Sequence, residues 1–337
     1  MKFKGKVLII GGGGYVGVEL QRLLAESNYQ VRVLDTFWYA SGKWDKSDGL
    51  FTHNIEYVKG DIREKEVLRR ALTGVDFCIH LACISNDPSF ELNPNLAKSI
   101  NFDAFLGFVE EVNISSVVSV FYASSSSVYG VKDEDNVTED LTCNPLTDYS
   151  KFKLMCESVA LENISDEINL TIVRPSTVCG YSRRQRFDLV VNALTLSALD
   201  KSVIIVEGGE QYRPNLHIND MIASYKWLLE VNSKIINRKI YNIAGENLTV
   251  LNIAEKVKNH IGGDCELKIK PIVDRRSYRV SGKKIESEVG FIPQYTVDKA
   301  ILDLKEAFHA GKYLNLESTT YYNIKHMQLL MSKGTLK

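Results

Sequence analysis

The chain has 337 residues, with 41 basic and 42 acidic side chains and a formal net charge of −1. A chain of this length can bury a full core, and its even charge balance argues against nucleic acid or a membrane surface as a partner. The cysteines at 78, 83, 143, 156, 179 and 265 show no CxxC pair and no metal-ligand spacing, so no metal is expected and a reduced, cytoplasmic setting fits best.

The chain enters a strand pattern at once, so no signal peptide is expected, and no apolar run is long enough to span a bilayer. Residues 6–10 read as a first strand. A helix is predicted over 15–27, with Val16, Leu20, Leu23 and Leu24 on one face. Strands follow at 30–34, 55–59, 77–81, 118–123 and 170–173, and helices fit between them at 65–72, 96–113 and 149–164. The strands are continuous apolar runs, as expected when helices cover both faces of a parallel sheet. After Arg174 the regularity weakens. A helix over 189–199, a strand over 203–206, an irregular basic stretch over 274–282 and a helix over 297–310 are the clearest elements. The expected class is α/β: a Rossmann-type doubly wound parallel sheet over residues 1–174, with a smaller substrate-binding lobe drawn mainly from 175–337. The stretch from about 213 to 245 is expected to return to the first domain, because 240–243 reads as a further strand.

Gly11, Gly14 and Gly17 form G-x-x-G-x-x-G between the first strand and its helix. A tight turn needs glycine dihedrals, a pyrophosphate needs close backbone approach, and the helix N-terminus offers N–H groups and a positive dipole end. Asp35 ends the second strand about twenty residues on, where a carboxylate accepts hydrogen bonds from adenosine ribose hydroxyls. It would also repel a 2′-phosphate, and no arginine follows it, so NAD is favoured over NADP. Asp61, followed by Ile62 after the third strand, suits either an adenine contact or a cap for the next helix. His80-Leu81-Ala82 ends the fourth strand beside the expected cofactor groove, and His80 alone reads as a core histidine.

Tyr149 and Lys153 form Y-x-x-x-K, one turn apart on one helix face. A nearby ammonium and a nicotinamide cation would favour the phenolate, which could take a proton from a substrate hydroxyl. Ser125, at the end of the strand over 118–123, would face the same groove and hydrogen-bond the reacting oxygen.

On these motifs the sequence resembles the extended short-chain dehydrogenase/reductases, the family of nucleotide-sugar epimerases and dehydratases. The resemblance runs over nearly the whole chain. GGGGYVG at 11–17 is similar to the family's cofactor turn, implying contacts from Gly11, Gly14, Tyr15, Val16 and Gly17. Asp35, Asp61 and Ile62 match its adenosine contacts, and HLAC at 80–83 its fourth-strand motif, with Leu81 and Ala82 against the cofactor. SSSSVYG at 124–130 places the catalytic hydroxyl at Ser125, and YSKFK implies that Lys153 also holds the nicotinamide ribose. On the substrate side the resemblance implies a diphosphate contact from Arg213 in YRPNLHIND and a second from Arg276 in the basic run at 274–277. Further substrate contacts are implied for Ser126, Thr177 and Asn192, while Arg183 and Arg184 stand open between surface charge and ligand. Arginine suits a diphosphate because its guanidinium meets phosphate oxygens in pairs.

The family's 4,6-dehydratases carry an acidic pair after the catalytic hydroxyl, where this chain has Ser126 and Ser127. The related decarboxylases carry a glutamate at Ser127, and the 3,5-epimerase/reductases a cysteine at Ser126. The resemblance therefore implies oxidation of a sugar hydroxyl at C4 of a nucleotide-diphosphate sugar. The expected activity is a 4-epimerase of surface-polysaccharide biosynthesis. The alternative is a C4 dehydrogenase, for example on a GDP-heptose, that keeps NAD(H) tightly bound, and a third is a non-catalytic NAD-binding regulator. Thr177 replaces an asparagine of the galactose 4-epimerases, and the aromatic wall found there is missing. Family members dimerise through the helices expected at 96–113 and 149–164, so a homodimer is expected. Phe102, Phe105, Phe108 and Val109 supply apolar surface that faces either a partner or the sheet.

Overall fold

The computed structural model describes residues 3–39, 55–271, 277–313 and 315–336. Its main sheet contains β1 (Lys6–Ile10), β2 (Gln30–Asp35), β3 (Ile55–Lys59), β4 (Phe77–His80), β5 (Ser119–Ala123) and β6 (Asn169–Pro175). Further along the chain come β7 (Thr177–Cys179), β8 (Val203–Glu207), β9 (Tyr212–His217), β10 (Lys239–Ile243), β11 (Asn247–Thr249) and β12 (Glu266–Lys270). The seven-stranded sheet runs β10-β6-β5-β4-β1-β2-β3, and every pair in it is parallel. Strand order reverses between β1 and β4, so the loops after the carboxyl ends of the strands open on one crevice.

Two apolar layers hold this sheet. On one face Leu68, Phe105, Phe108, Cys156 and Ala160 join the helices Lys65–Leu72, Ala104–Asn113 and Asp148–Asn163 to the strands. On the other, Leu20 and Leu24 of the helix Gly17–Glu26 meet Met221 and Tyr225 of the helix Ile218–Glu230. A second core, around Val191, Ile253, Val257 and Ile301, sits under the helices Val190–Lys201, Val250–Ile261 and Val297–His309. That lobe carries a three-stranded sheet, β11-β9-β7, and the parallel pair β12-β8. No helix among the described residues is long and apolar enough to cross a membrane.

Three features differ from the sequence reading. The helix expected over 96–113 is broken into Pro94–Lys98, a π-helical turn at Ser99–Asp103, and Ala104–Asn113. Asn101 explains the break. Its side chain accepts from the Ile84 N–H (2.7 Å) and donates to the Ile84 carbonyl (3.0 Å), while its own carbonyl accepts from the Cys156 thiol (3.2 Å). The widened turn thus pins the loop after β4. Secondly, Phe105, Phe108 and Val109 are buried in the chain's own core, leaving Leu106 and Met155 as the outward apolar side chains of these helices. Thirdly, within 213–245 the helix Ile218–Glu230 and β10 join the large sheet, but β9 belongs to the three-stranded one. The helix Asn323–Ser332 also crosses back, burying Met327 in the first domain's core and donating from His326 Nε2 to the Trp38 carbonyl (2.7 Å).

Candidate functional site

The glycine turn is pressed from two sides. Gly11 has φ of 86°, and a Cβ there would lie 2.5 Å from the Ala82 nitrogen. A Cβ on Gly17 would lie 2.5 Å from Gly12 Cα, which is backbone and cannot swing aside. Only glycine lets the turn meet the loop after β4 and the helix meet the turn. Asp35 is fixed by the same backbone, because its Oδ2 accepts from Gly13 N–H (2.8 Å) and its Oδ1 from Phe37 N–H (2.7 Å). Burial raises its pKa, opposed by those two N–H groups and by the charge of Arg184. With about four lone-pair sites, the carboxylate keeps acceptor capacity beyond these two N–H groups and Thr36. Bare backbone, a helix N-terminus and a held carboxylate fit a dinucleotide.

One cavity joins this cradle to the reactive residues. Gly14, Tyr15, Val16, Asp61, Ile62, Leu81 and Ala82 line it, as do Ser125, Ser126, Tyr149, Lys153, Thr177 and Arg213. Three of these side chains have partners that narrow what they can do. The Tyr15 hydroxyl donates to the Gly180 carbonyl (2.7 Å) and accepts from Asn192 (3.1 Å), so it clamps the turn to the second lobe. Asp61 accepts from the Arg63 backbone (2.9 Å) and pairs with its guanidinium (2.7 Å), which lowers its pKa against the opposing effect of burial. The Arg213 guanidinium donates to the Tyr212 carbonyl (3.0 Å).

At the reactive end, Ser125 caps the short turn Ser126–Tyr129 by accepting from Ser127 N–H (3.1 Å). Beneath it, Ser124 is hydrogen-bonded to Glu157. Glu157 is held by both arms of the buried Arg174 (2.9 and 2.6 Å), whose third nitrogen donates to Tyr129 (2.9 Å). This network fixes the end of β5. Tyr149 and Lys153 come from the helix Asp148–Asn163, which starts at the cap Thr147. Burial, with help from the negative charge of Asp87, pushes the Tyr149 phenol well above its ordinary pKa, and a hydrogen bond with Ser125 opposes it. Lys153 donates to the Ala123 carbonyl (2.6 Å) and lies over the Tyr122 ring. The sequence leads one to expect that Lys153 and the nicotinamide cation favour the phenolate; among the protein's own influences on Tyr149, burial is the largest and acts the other way.

Asn192 is a correction. It is fully buried, outside the cavity lining, and its amide accepts from Gly180 N–H (2.9 Å) and donates to the Arg186 carbonyl (2.9 Å) and Tyr15. It shapes the loop after β7 and has no donor left for a nucleotide. Arg276 lies outside the described residues. His80 is enclosed by Phe105, Phe108 and Tyr122, and burial, with the Lys153 charge, pushes its pKa down to about 3. It is a neutral core residue.

The wall also holds residues that the sequence leaves open or does not single out. Arg184 is buried in the cavity over the Tyr39 ring, donating to Asn323 (2.6 Å), and burial lowers its pKa to about 10. Arg183 instead pairs with Glu19 at 3.2 Å. Arg186 grips Asp188 (2.9 Å), and Asp87, Thr147 and Ser150 complete the wall near Tyr149. No local signal in the run R-R-Q-R-F-D at 183–188 tells an inward arginine from an outward one.

Comparison with known proteins agrees with this geometry. The model of the NAD dependent epimerase/dehydratase family matches residues 7–244. A UDP-glucose 4-epimerase of Lactobacillus helveticus is 25% identical over 274 residues, covering 75% of this chain and 81% of its own. Among solved structures, the UDP-glucuronic acid 4-epimerase of Bacillus cereus, in complex with UDP-glucuronic acid and NAD, superposes with a TM-score of 0.80 at 23% identity, over 90% of this chain and 99% of that one. The dTDP-glucose 4,6-dehydratase DesIV of Streptomyces venezuelae, with NAD bound, has a TM-score of 0.81 at 23% identity, over 91% and 98%. The likeness to both an epimerase and a dehydratase shows the shared fold, and with the family match it establishes that this chain is an enzyme of the NAD-dependent epimerase/dehydratase family, with NAD as its cofactor.

Proposed function

We propose that the chain is a nucleotide-sugar 4-epimerase, oxidising the sugar's C4 hydroxyl and then reducing the ketone from the other face. The observation that carries this reading is the meeting of Ser125, Tyr149 and Lys153 in the cavity that holds the glycine turn, with hydroxyls rather than carboxylates at Ser126 and Ser127. When bound, NAD supplies the acceptor for the carbinol hydrogen and a positive charge beside the phenol. Ser125 orients the reacting hydroxyl. Tyr149 exchanges a proton with it, and Lys153, which donates to the Ala123 carbonyl, would hold the cofactor ribose. Thr177, in the same cavity lining, meets the sugar, and Arg213 the diphosphate. Asp35 accepts from the adenosine ribose.

The test is a panel of UDP-, GDP-, CDP- and dTDP-glucose followed by proton NMR in deuterated water. An inverted C4 centre without added oxidant supports the reading. A keto-sugar with bound NADH converts it to a C4 dehydrogenase. Deuterium at C5 or loss of water overturns it. The exposed Leu106 and Met155 lie on the helices Ala104–Asn113 and Asp148–Asn163 and suit a homodimer; a monomer by light scattering at micromolar concentration would refute that assembly.

A further inference from the structure

The loop after β7 leaves the second lobe and lies along the glycine turn. The Tyr15 hydroxyl donates to the Gly180 carbonyl (2.7 Å), the Ser182 hydroxyl to the Tyr15 carbonyl (2.8 Å), and the Arg183 N–H to Glu19 Oε1 (2.9 Å). These bonds bring Arg184, the next residue, into the cavity that the turn lines. Its guanidinium lies over the ring of Tyr39, just past β2, with 4.1 Å between the guanidinium carbon and the ring centroid. It also feels the charge of Asp35 at the end of that strand. The helix Asn323–Ser332 completes the setting. Its first residue, Asn323, accepts from Arg184 Nη2 (2.6 Å) and donates to Ser85 Oγ (3.1 Å), and its backbone N–H donates to Asp188 Oδ2 (3.3 Å).

Arg184 is a buried cation without a counter-ion. It is 7% exposed, and no carboxylate among the described residues lies within ion-pair distance of it. Asp188 is taken by Arg186, which holds both of its oxygens (2.9 and 3.1 Å). Asp35 is taken by the N–H groups of Gly13 and Phe37. A guanidinium has several N–H donors to place. Among the described residues only Nη2 has a hydrogen-bond partner, and Nε, fully buried, has none. An unpaired buried charge is costly, so a fold that keeps one in a ligand cavity is completed by an anion. The anionic part of NAD is its pyrophosphate. We propose that Arg184 is a ligand of the cofactor's pyrophosphate, supplied by the second lobe and held ready by Asn323 and Tyr39. The glycine turn then contributes backbone N–H groups and a helix end, and the loop after β7 contributes the full positive charge. NAD binding thereby ties the two lobes together. The assignment does not depend on which sugar is turned over.

The experiment is calorimetric titration of the full chain, freed of cofactor, with NAD, NADP, adenosine and UDP. Arg184→Gln keeps an amide donor for Asn323 but removes the charge. It should weaken NAD about 10- to 100-fold, the range for a charge-assisted hydrogen bond, and leave adenosine, which has no phosphate, unchanged. Adenosine binding also reports that the pocket is folded. Arg184→Met should show the same pattern, and Arg184→Lys, which keeps the charge, should recover most of the NAD affinity. Wild-type NAD affinity in Arg184→Gln overturns the assignment. Equal losses of NAD and adenosine in that variant also overturn it, since Arg184 would then only pack against Tyr39. Weakened UDP with NAD unchanged would give the guanidinium to the substrate diphosphate, and a loss confined to NADP would give it to a 2′-phosphate; either result overturns it. None of these measurements needs turnover, so failure of the C4 reading leaves them intact.

Discussion

The two ends of the cleft are made of different material. At the cofactor end the walls are backbone: the turn at Gly11, the start of the helix at Gly17, and Ala82 beneath them are in contact through main-chain atoms, and Asp35 beside them is itself held by two N–H groups. At the reactive end the walls are side chains that hold one another, from the Ser124–Glu157–Arg174–Tyr129 network under β5 to the bond from the Thr147 hydroxyl to Asp87. Backbone surfaces suit a ligand that is always the same. Side-chain surfaces can be changed one residue at a time, so the reactive end is where relatives can diverge in chemistry while keeping one fold.

The division can be broken at either end. The largest effect is expected from Tyr149→Phe, which should lower turnover by about 10²–10⁴-fold while leaving NAD affinity and melting temperature near wild type. Loss of NAD binding in that variant, read by calorimetric titration, would show that the two ends are not separable. Gly17→Ala should do the reverse. Its methyl meets Gly12 backbone, so a cost of about 1–3 kcal/mol in stability and a matching loss of NAD affinity are expected by thermal melting and titration. A variant that bound NAD normally would mean that the turn yields.

His80 lies between the ends and tests the sheet itself. Its folded pKa of about 3 is below the unfolded value near 6.5, so the folded state binds fewer protons between these values. The stability it contributes is present above about pH 6.5 and is lost as pH falls towards 3. Between about pH 7 and pH 5 this amounts to about 2 kcal/mol. His80→Leu should remove that slope from chemical denaturation curves; an unchanged slope would place the titration elsewhere. The smallest effect is expected from Asp35→Asn, about tenfold weaker NAD binding with turnover at saturating NAD unchanged. Equal affinity would deny Asp35 its ribose contact.

The same division governs what could be read from sequence. β1, β3 and the helix Lys65–Leu72 have the expected bounds, because local apolar runs and their period determine them. The glycine turn was legible for the same reason, since its meaning lies within seven residues of chain. The broken helix at Ser99–Asp103 was not, because Asn101 answers to Ile84, a residue outside the helix. Asn192 and Arg184 are not decided locally. The asparagine resembles a ligand and is a brace, whereas the arginine, open in the sequence between surface charge and ligand, lies inside, because both depend on how the loop after β7 packs against Tyr15 and Tyr39. Asp87 carried no motif. Its interest comes from Thr147, sixty positions away, and only the fold brings the two together.

The edge strand β10 has a consequence for how the chain is made and cut. It pairs with β6 in register from Lys239 opposite Thr171, so the lobe that begins with β7 is threaded between two neighbours of one sheet. Until β10 arrives, β6 presents an unpaired row of N–H and C=O groups, the kind of edge on which other chains add strands. Closing that edge means closing a long loop first, which slows folding. The two lobes are therefore not beads on a string. A fragment ending near Arg174 would hold the whole glycine turn and the Tyr149 helix and still be poorly behaved, aggregating through β6, because its last strand belongs to sequence that it no longer has.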